Sequence, residues 1–203
     1  MPKLRFTYFD IKGSRGQVSR LLFDLADLEA EDVRLGFQEF VAMKNEFPFG
    51  AVPVLEVDGQ AISQSNGINR YLGKIAGLYP SDPLQAALCD EIMDAVEDVT
   101  NKVQVTLYIK DEEEKKAARL ALAEGPIPFY LKRIAKRLEE RGGSYFADGR
   151  LTIADLKVFV WVKGLGSGVL DHLPTDLVQS HAPSLLKHHD MVWALPKVQA
   201  HYQ

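Results

Sequence analysis

The amino-acid sequence predicts an N-terminal α/β domain followed by an all-α domain, a helical bundle. Strand and helix patterns alternate over residues 1–79. Residues 80–83 form a linker, because the two prolines within these four residues cannot lie inside a helix. From residue 84 to residue 203 every long segment has a helical period and strand patterns disappear. We therefore expect one domain over residues 1–79 and a second over residues 84–203.

The elements of the first domain follow from two periodicities. Alternation of apolar and polar residues predicts strands, and apolar residues at three- and four-residue spacing predict helices. The resulting order is a strand at 4–8, a helix over 18–28, a short strand at 32–35, strands at 52–57 and 60–62, and a helix over 68–75. Asp58-Gly59, between the last two strands, is a strong hairpin signal.

One helix start in the second domain carries a well-formed cap. Thr152 supplies a hydroxyl at the N-cap position, and Asp155 supplies an acid three residues later, where Glu or Gln is usual. The stretch over 158–162 is apolar on all sides, so we expect a buried central helix. Loss of this cap is expected to cost on the order of 1 kcal/mol.

The composition excludes several classes of protein. The chain has 203 residues, 24 Lys plus Arg against 28 Asp plus Glu, and a formal charge of −4, which gives no basic footprint for nucleic acid. No window approaches 18 uninterrupted apolar residues, so no membrane span is expected. The N-terminus lacks the apolar core of a signal peptide, and Cys89 has no second cysteine to pair with. We expect a cytoplasmic protein.

The first domain has the element order of a thioredoxin-type module, but residues 1–79 contain no cysteine. A thiol–disulfide mechanism needs a thiolate of its own, so an oxidoreductase of that kind is excluded. If this domain acts in sulfur chemistry, the thiol must arrive with a ligand.

Several motifs resemble those of the cytosolic glutathione transferases. These motifs are Tyr8–Gly13, Pro48–Leu55, Gln64–Leu72 and the capping segment Leu151–Asp155. The sequence is most similar to the tyrosine-type classes, closest to sigma with features of pi, over essentially the whole chain. The resemblance implies a thioredoxin-like domain that binds glutathione as co-substrate, a helical domain with the electrophile site, a homodimer, and no metal or prosthetic group.

The resemblance gives Tyr8 and Arg15 catalytic roles. In the family the tyrosine donates a hydrogen bond to the glutathione sulfur and so stabilises the thiolate. On the residues alone, a tyrosine at this position is more often a core aromatic with a satisfied hydroxyl. Arg15 corresponds to a cation near the sulfur, but it stands seven residues after Tyr8 instead of six, with Ser14 as the apparent insertion. A solvated loop arginine is the alternative.

Other glutathione contacts are carried over in the same way. Val52-Pro53 corresponds to a cis peptide whose valine backbone pairs with glutathione like an added strand, although most such dipeptides are trans turns. Gln64-Ser65 corresponds to the helix start that holds the γ-glutamyl carboxylate, although Ser65 also fits a plain N-cap.

The remaining positions of the glutathione site match the family pattern less well. Lys44 corresponds to a lysine on the glycine carboxylate. Phe40 replaces a tryptophan and Ala51 replaces a longer polar residue, so two polar contacts are lost at up to roughly 1–2 kcal/mol each. This predicts weaker glutathione binding and does not abolish it.

The resemblance places the last site residues in or beside the second domain. Asp98, or as second choice Glu97, corresponds to a carboxylate that reaches the γ-glutamyl amine bound by the neighbouring subunit; solvated helix acids are the general alternative. Tyr108 would border the electrophile pocket, with Phe9 and Gly13 as the other wall, and we expect that pocket to be open.

The function implied is transfer of glutathione to hydrophobic electrophiles. Two alternatives stay open at this point. One is a glutathione-dependent isomerase, like prostaglandin D synthase, or a peroxidase, which would use the same thiolate. The other is a ligand carrier or a crystallin-like relative without activity. The changes at Phe40, Ala51 and Arg15 favour it slightly, whereas Tyr8 and the mostly intact glutathione site argue against it.

Overall fold

The chain folds into two units. The computed structural model describes residues 2–203. Unit 1 comprises the described residues up to Tyr79 together with Pro196–Gln203, and unit 2 comprises Pro80–Leu195. The predicted fold class, a thioredoxin-like α/β domain with an all-helical domain, is confirmed.

Unit 1 is built on a four-stranded sheet with the order β2-β1-β3-β4. Its elements are β1 (Leu4–Phe9), α1 (Gln17–Leu25), β2 (Ala30–Leu35), α2 (Phe37–Met43), a 3-10 turn (Lys44–Glu46), β3 (Val54–Val57), β4 (Gln60–Ser63) and α3 (Ser65–Ile75). β1 pairs with β2 in parallel and with β3 antiparallel. The core between sheet and helices contains Phe6, Leu22, Leu55 and Ile68, all fully buried.

The predicted hairpin is confirmed, whereas one helix was missed. β3 and β4 pair antiparallel across Asp58 and Gly59, whose φ angles of 49° and 85° are those of a tight hairpin turn. α2 was not predicted, because its apolar residues do not form a buried stripe: Phe37 is 69% exposed and Val41 is 56% exposed. Its start is fixed instead by Glu39, which accepts the Gly36 N–H at 2.7 Å.

Unit 2 is entirely helical. Its helices are α4 (Pro83–Val105), α5 (Glu112–Glu124), α6 (Pro126–Glu140), α7 (Ile153–Gly166), α8 (Leu177–His181) and α9 (Pro183–Trp193). α7 is buried over most of its length and packs against α4 and α9, as its all-round apolar pattern predicts. Cys89 is buried as well, and burial raises the pKa of its thiol to about 11. No helix among residues 2–203 is long and apolar enough to cross a bilayer.

The last helix, α10 (Pro196–Tyr202), is grouped with unit 1. The sequence pattern extends the helical domain to residue 203, whereas in the structure unit 2 ends at Leu195. α10 packs against α1, with Val198 fully buried, and Lys197 Nζ donates to the Leu25 carbonyl at 3.2 Å. The grouping follows from these long-range contacts, which helical periodicity does not encode.

The capping residue Asp155 does more than the sequence predicts. Its Oδ2 accepts the Thr152 N–H at 2.7 Å, as expected of a cap, and the Thr152 hydroxyl at 2.8 Å. Its Oδ1 accepts the Phe146 N–H at 3.1 Å and lies 3.0 Å from His188 Nε2. Asp155 is fully buried, so its carboxylate joins the loop before α7 to both α7 and α9.

We expect Asp155→Ala to lower the free energy of unfolding by at least about 3 kcal/mol, because it leaves several buried donors without an acceptor. Asp111→Ala is the matched control. Asp111 caps α5 by accepting the Glu114 N–H at 2.8 Å, but it is exposed, and its loss should cost only about 1 kcal/mol. Urea denaturation of both variants measures the difference. Equal losses would show that Asp155 is an ordinary cap.

Candidate functional site

Tyr8 lies near the carboxyl end of β1 and is 3% exposed. Its ring meets Phe9 edge to face, with 5.4 Å between ring centres. The ring also packs against the backbone of Gly16: a Cβ atom there would stand 2.2 Å from Tyr8 Cδ1. Only glycine therefore fits at position 16. The reason is lack of space and not backbone conformation, because the φ of −76° at this position suits any residue. Tyr8 is held from both sides.

Arg20, which the sequence analysis missed, braces this tyrosine. The Arg20 guanidinium lies 5.7 Å from the centre of the Tyr8 ring. Its Nη1 donates to the carbonyls of Phe9 at 3.1 Å and Ile11 at 3.2 Å, and its Nε donates to Asp32 Oδ2 at 3.1 Å. Arg20 is 4% exposed. It therefore ties the backbone after Tyr8 to α1 and to β2 while placing positive charge beside the ring.

Ser14 accommodates the extra residue in the loop between β1 and α1. It adopts φ of 61°, the left-handed region, and its carbonyl accepts the Gln17 N–H at 3.2 Å. α1 then begins after Gly16 with no side-chain cap. The insertion is thus absorbed before the Gly16–Tyr8 contact. Arg15 lies half-buried in the turn, and Gly13 lies in the preceding bend.

An aromatic row extends from Tyr8 toward α2. Phe9 meets Phe40 at 5.1 Å between ring centres, and Phe40 stacks on Phe47 at 6.0 Å. The structure thus brings together Tyr8, Phe9 and Phe40, three of the residues chosen from the sequence. At position 40 the phenyl ring fills an apolar row and offers no polar donor.

Lys44 and Ala51 lie on the segment between α2 and β3, and both are exposed. Lys44 begins the 3-10 turn, and its Cε would lie 3.4 Å from a Cβ placed on Gly50. Its ammonium group is therefore carried close to the backbone that leads into Val52-Pro53. The peptide bond between Val52 and Pro53 is cis, as expected from the sequence resemblance.

The start of α3 is strained and uncapped. Gln64 is the N-cap, with φ of 70° and no side-chain capping bond, while Ser65 is the first helical residue and is 5% exposed. The alternative in which Ser65 itself is the N-cap is therefore wrong. A non-glycine residue in this backbone region costs of order 1 kcal/mol or more and is typical of binding sites. An uncapped helix N-terminus favours a negatively charged ligand.

In unit 2 the two candidate acids on α4 have different surroundings. The Glu97 carboxylate accepts from Lys157 Nζ at 2.7 Å, and that lysine side chain is 6% exposed. Asp98 is exposed and lies 3.4 Å from the Tyr130 hydroxyl. It lines an open groove of about 500 Å³ with Asn101, Lys102, Val105 and Tyr130. Tyr108 follows α4 and is 72% exposed.

One group among residues 2–203 has the composition of a metal site: Glu112, Asp171 and His172. Its acids are already engaged by cations, since Lys115 Nζ lies 2.7 Å from Glu112 and Arg119 Nη1 lies 2.8 Å from Asp171. The Arg119 hydrogen bond is the main cause that lowers the pKa of Asp171 to about 2. The group is therefore part of an ion-pair network in which lysine and arginine side chains neutralise the two carboxylates.

Comparison with known proteins places both units. Residues 4–74 match the family model of the glutathione S-transferase N-terminal domain, and residues 97–203 match that of the C-terminal domain. The chain is 34% identical to the hematopoietic prostaglandin D synthase of Gallus gallus, over all of this chain and 96% of that protein. It is 33% identical to glutathione S-transferase S1 of Drosophila melanogaster, over 95% of this chain and 75% of that protein.

Solved structures give the same result. The prostaglandin synthase D of Nilaparvata lugens is similar with a TM-score of 0.87 and 30% identity, covering 98% of this chain and 96% of that one. The glutathione S-transferase of Ascaris lumbricoides is similar with a TM-score of 0.83 and 32% identity, covering 98% and 95%.

The contact between Gly16 and Tyr8 gives a stability prediction. Gly16→Ala should lower the free energy of unfolding by about 1–3 kcal/mol, because the new methyl group must displace a packed ring. Gly164→Ala in α7 is the control: a Cβ there meets nothing within 4 Å, so it should be neutral or stabilising by up to about 1 kcal/mol. Denaturant titration compares the two, and equal effects would contradict the packing argument.

Proposed function

The chain belongs to the glutathione S-transferase family, and from this premise we propose that it converts the thiol of glutathione to a thiolate that attacks hydrophobic electrophiles. The observation that carries the proposal is the braced position of Tyr8. We further propose that the protein is nearest the sigma class, is cytoplasmic, works as a homodimer and requires no metal.

Tyr8 is the proposed donor to the glutathione sulfur. A hydrogen bond to the charged form favours the thiolate over a thiol of reference pKa about 8.5, and each unit of lowering corresponds to about 1.4 kcal/mol. Arg20, 5.7 Å from the ring centre, holds the segment after Tyr8 in place, and Asp32 balances its charge. The uncapped N-terminus of α1 favours an anion nearby. Arg15, in the turn before it, is proposed as a cation at the sulfur.

The rest of glutathione is assigned to three segments of unit 1. The γ-glutamyl carboxylate would bind at the start of α3, where Gln64 is strained and Ser65 is uncapped. The backbone of Val52, ahead of the β3 ladder, would pair with the cysteinyl part of glutathione in the manner of an added strand. Lys44 would pair with the glycine carboxylate. With Phe40 and Ala51 adding no polar contact, we expect modest affinity.

The chemical step balances without a further reactant. The thiol proton leaves to solvent, and the thiolate sulfur forms a bond to an electrophilic carbon. In a substitution the leaving group departs with its electron pair, and in an addition the new carbanion is protonated. Phe9, Gly13 and Tyr108 are each proposed to contact the electrophile, and the 72% exposure of Tyr108 leaves its ring accessible to one.

A second candidate function is glutathione-dependent isomerisation. It is favoured by the likeness to a prostaglandin D synthase over the full chain at 34% identity, and to an insect prostaglandin synthase with a TM-score of 0.87. Isomerisation and hydroperoxide reduction would use the same thiolate. Isomerisation would regenerate glutathione, whereas reduction of a hydroperoxide to an alcohol and water would oxidise two glutathione molecules to the disulfide.

Conjugation of glutathione to 1-chloro-2,4-dinitrobenzene tests the role of Tyr8. We expect Tyr8→Phe to lower kcat by about 10²-fold and to raise the apparent pKa of the bound thiol, because the donor to the sulfur is lost. The rate is followed against pH. Tyr145→Phe is the control: it removes a phenol hydroxyl from the segment between α6 and α7, outside the residues assigned to glutathione, and should leave both values unchanged.

The outcome in the wild type decides between the candidates. If it binds immobilised glutathione but conjugates nothing above background, hydroperoxides and endoperoxide isomerisation are assayed next. Absence of all three activities would replace the enzymatic proposal with a ligand-carrier function.

Asp98 is proposed to act in the partner's site, where it would bind the γ-glutamyl amine. Its exposure supports this, whereas Glu97 is engaged by Lys157. We expect Asp98→Asn to raise the KM for glutathione about tenfold, the equivalent of about 1.4 kcal/mol. Glu97→Gln should instead lower stability, because it leaves a buried lysine without its carboxylate.

Mixed dimers test whether Asp98 acts across the interface. Tyr8→Phe and Asp98→Asn subunits are each purified, mixed and allowed to exchange. If Asp98 serves the neighbouring subunit, each mixed dimer contains one site with both wild-type residues, and activity rises on mixing. No rise, with exchange verified by mass spectrometry, would assign Asp98 to its own subunit or to neither site.

A further inference from the structure

The C-terminal helix α10 is attached to the first turn of α1 through Gln17. Gln17 is the first residue of α1 and is 2% exposed. Its side-chain amide contacts Nε2 of His201, and its side chain also hydrogen-bonds with the Tyr202 hydroxyl. Burial is the main cause that raises the pKa of Tyr202 to about 12, so this hydroxyl keeps its proton at neutral pH. Gln17 is therefore clamped by two residues from the end of the chain.

The second contact of His201 determines which atoms donate and which accept in this clamp. Its Nδ1 contacts the carboxylate of Asp24, in the last turn of α1, and its side chain is 12% exposed. The Asp24 carboxylate accepts, so His201 Nδ1 carries a proton; the Gln17 amide nitrogen donates, so His201 Nε2 is the acceptor. The row Gln17, His201, Asp24 thus runs along α1, with each donor matched to one acceptor.

Gln17 is bonded directly to the residue on which the Tyr8 ring rests. The Gly16 backbone is so close to that ring that a Cβ would stand 2.2 Å from Tyr8 Cδ1. Any shift of the first turn of α1 therefore moves one wall of the tyrosine. Gly16 has no side-chain cap to hold it. The Gln17 clamp anchors this turn to α10, while Arg20 anchors it to β2 and the Ser19 hydroxyl, which donates to Asn69 Oδ1 at 2.8 Å, anchors it to α3.

We propose that His201 is a positioning residue for the catalytic tyrosine: through Gln17 it fixes Gly16, and Gly16 fixes the ring that donates to the glutathione sulfur. His201 touches no substrate in this role. The inference rests on the proposed function of Tyr8 and extends it to a residue 193 positions away in the sequence.

A second attachment of α10 provides the control. Lys197 Nζ donates to Asp27 Oδ2 at 2.6 Å and to the Leu25 carbonyl at 3.2 Å. Both partners lie at the far end of α1 from Gly16. Lys197→Met therefore loosens α10 without touching Gln17, and it separates general loss of helix attachment from loss of the clamp.

Two substitutions at position 201 test the two hydrogen bonds of the histidine separately. An asparagine amide stands where Nδ1 stood, so His201→Asn keeps a donor to Asp24 and loses the acceptor for Gln17. A glutamine amide reaches the Nε2 position, so His201→Gln keeps that acceptor. The readouts are the ultraviolet absorbance of the thiolate in the glutathione complex, and kcat/KM for 1-chloro-2,4-dinitrobenzene, both followed against pH.

We expect His201→Asn to raise the apparent thiol pKa by about half a unit to one unit and to lower kcat/KM about three- to tenfold at pH 6.5, since the thiolate fraction falls tenfold per unit below the pKa. His201→Gln should restore most of the loss. Lys197→Met should leave the apparent pKa unchanged. Gln17→Met, which keeps the buried volume and removes the amide, should reproduce His201→Asn and serves if that variant fails to fold.

Other outcomes overturn the inference. An unchanged thiol pKa in both His201→Asn and Gln17→Met would make α10 a purely structural helix. An equal rise in Lys197→Met would attribute the effect to general loosening. If the wild type itself fails to ionise bound glutathione, the proposed function fails and the inference with it; that result appears in the unmodified protein, whereas failure of the inference alone appears in the variants.

Discussion

The contact between the Tyr8 ring and the Gly16 backbone is the constraint on which unit 1 depends. It sets how closely α1 approaches β1, because no side chain at position 16 could share the space with the ring. The same contact fixes where the phenol points, and so where a sulfur could meet its hydroxyl. The pair Tyr8 and Gly16 therefore meets a packing requirement of the fold and a positioning requirement of the proposed chemistry.

Buried charges make these arrangements specific within each unit. In unit 1 the Arg20 guanidinium is matched to Asp32 and to two backbone carbonyls. In unit 2 the Asp155 carboxylate is matched to Thr152 and His188 among its donors. A buried charge without partners is costly, so each network is satisfied in one geometry only. Arg20 thereby fixes the segment after β1 within unit 1, and Asp155 fixes the start of α7 within unit 2.

Local patterns were enough to predict most elements. The Asp58-Gly59 turn, the amphipathic helix α1 and the capped helix α7 all depend on residues within a few positions of one another. The strand that carries Tyr8 was predicted for the same reason, and the match to the family motifs singled this tyrosine out. α2 was not predicted, because it buries no apolar stripe and hydrophobic periodicity detects only helices that bury one.

The sequence by itself determined the two-domain order and the helices and strands with a buried face, because these depend on neighbouring residues or on contiguous motifs. The role of Tyr8 stays a prediction from the family motif. Only the tertiary structure decided which remote groups meet: Arg20 beside the tyrosine, Glu97 on Lys157, and His201 on Gln17, which are 184 positions apart. An isolated charged or polar residue looks the same in the sequence whether it is solvated or paired. Its partner is set by how the elements pack, and that packing is what the fold supplies.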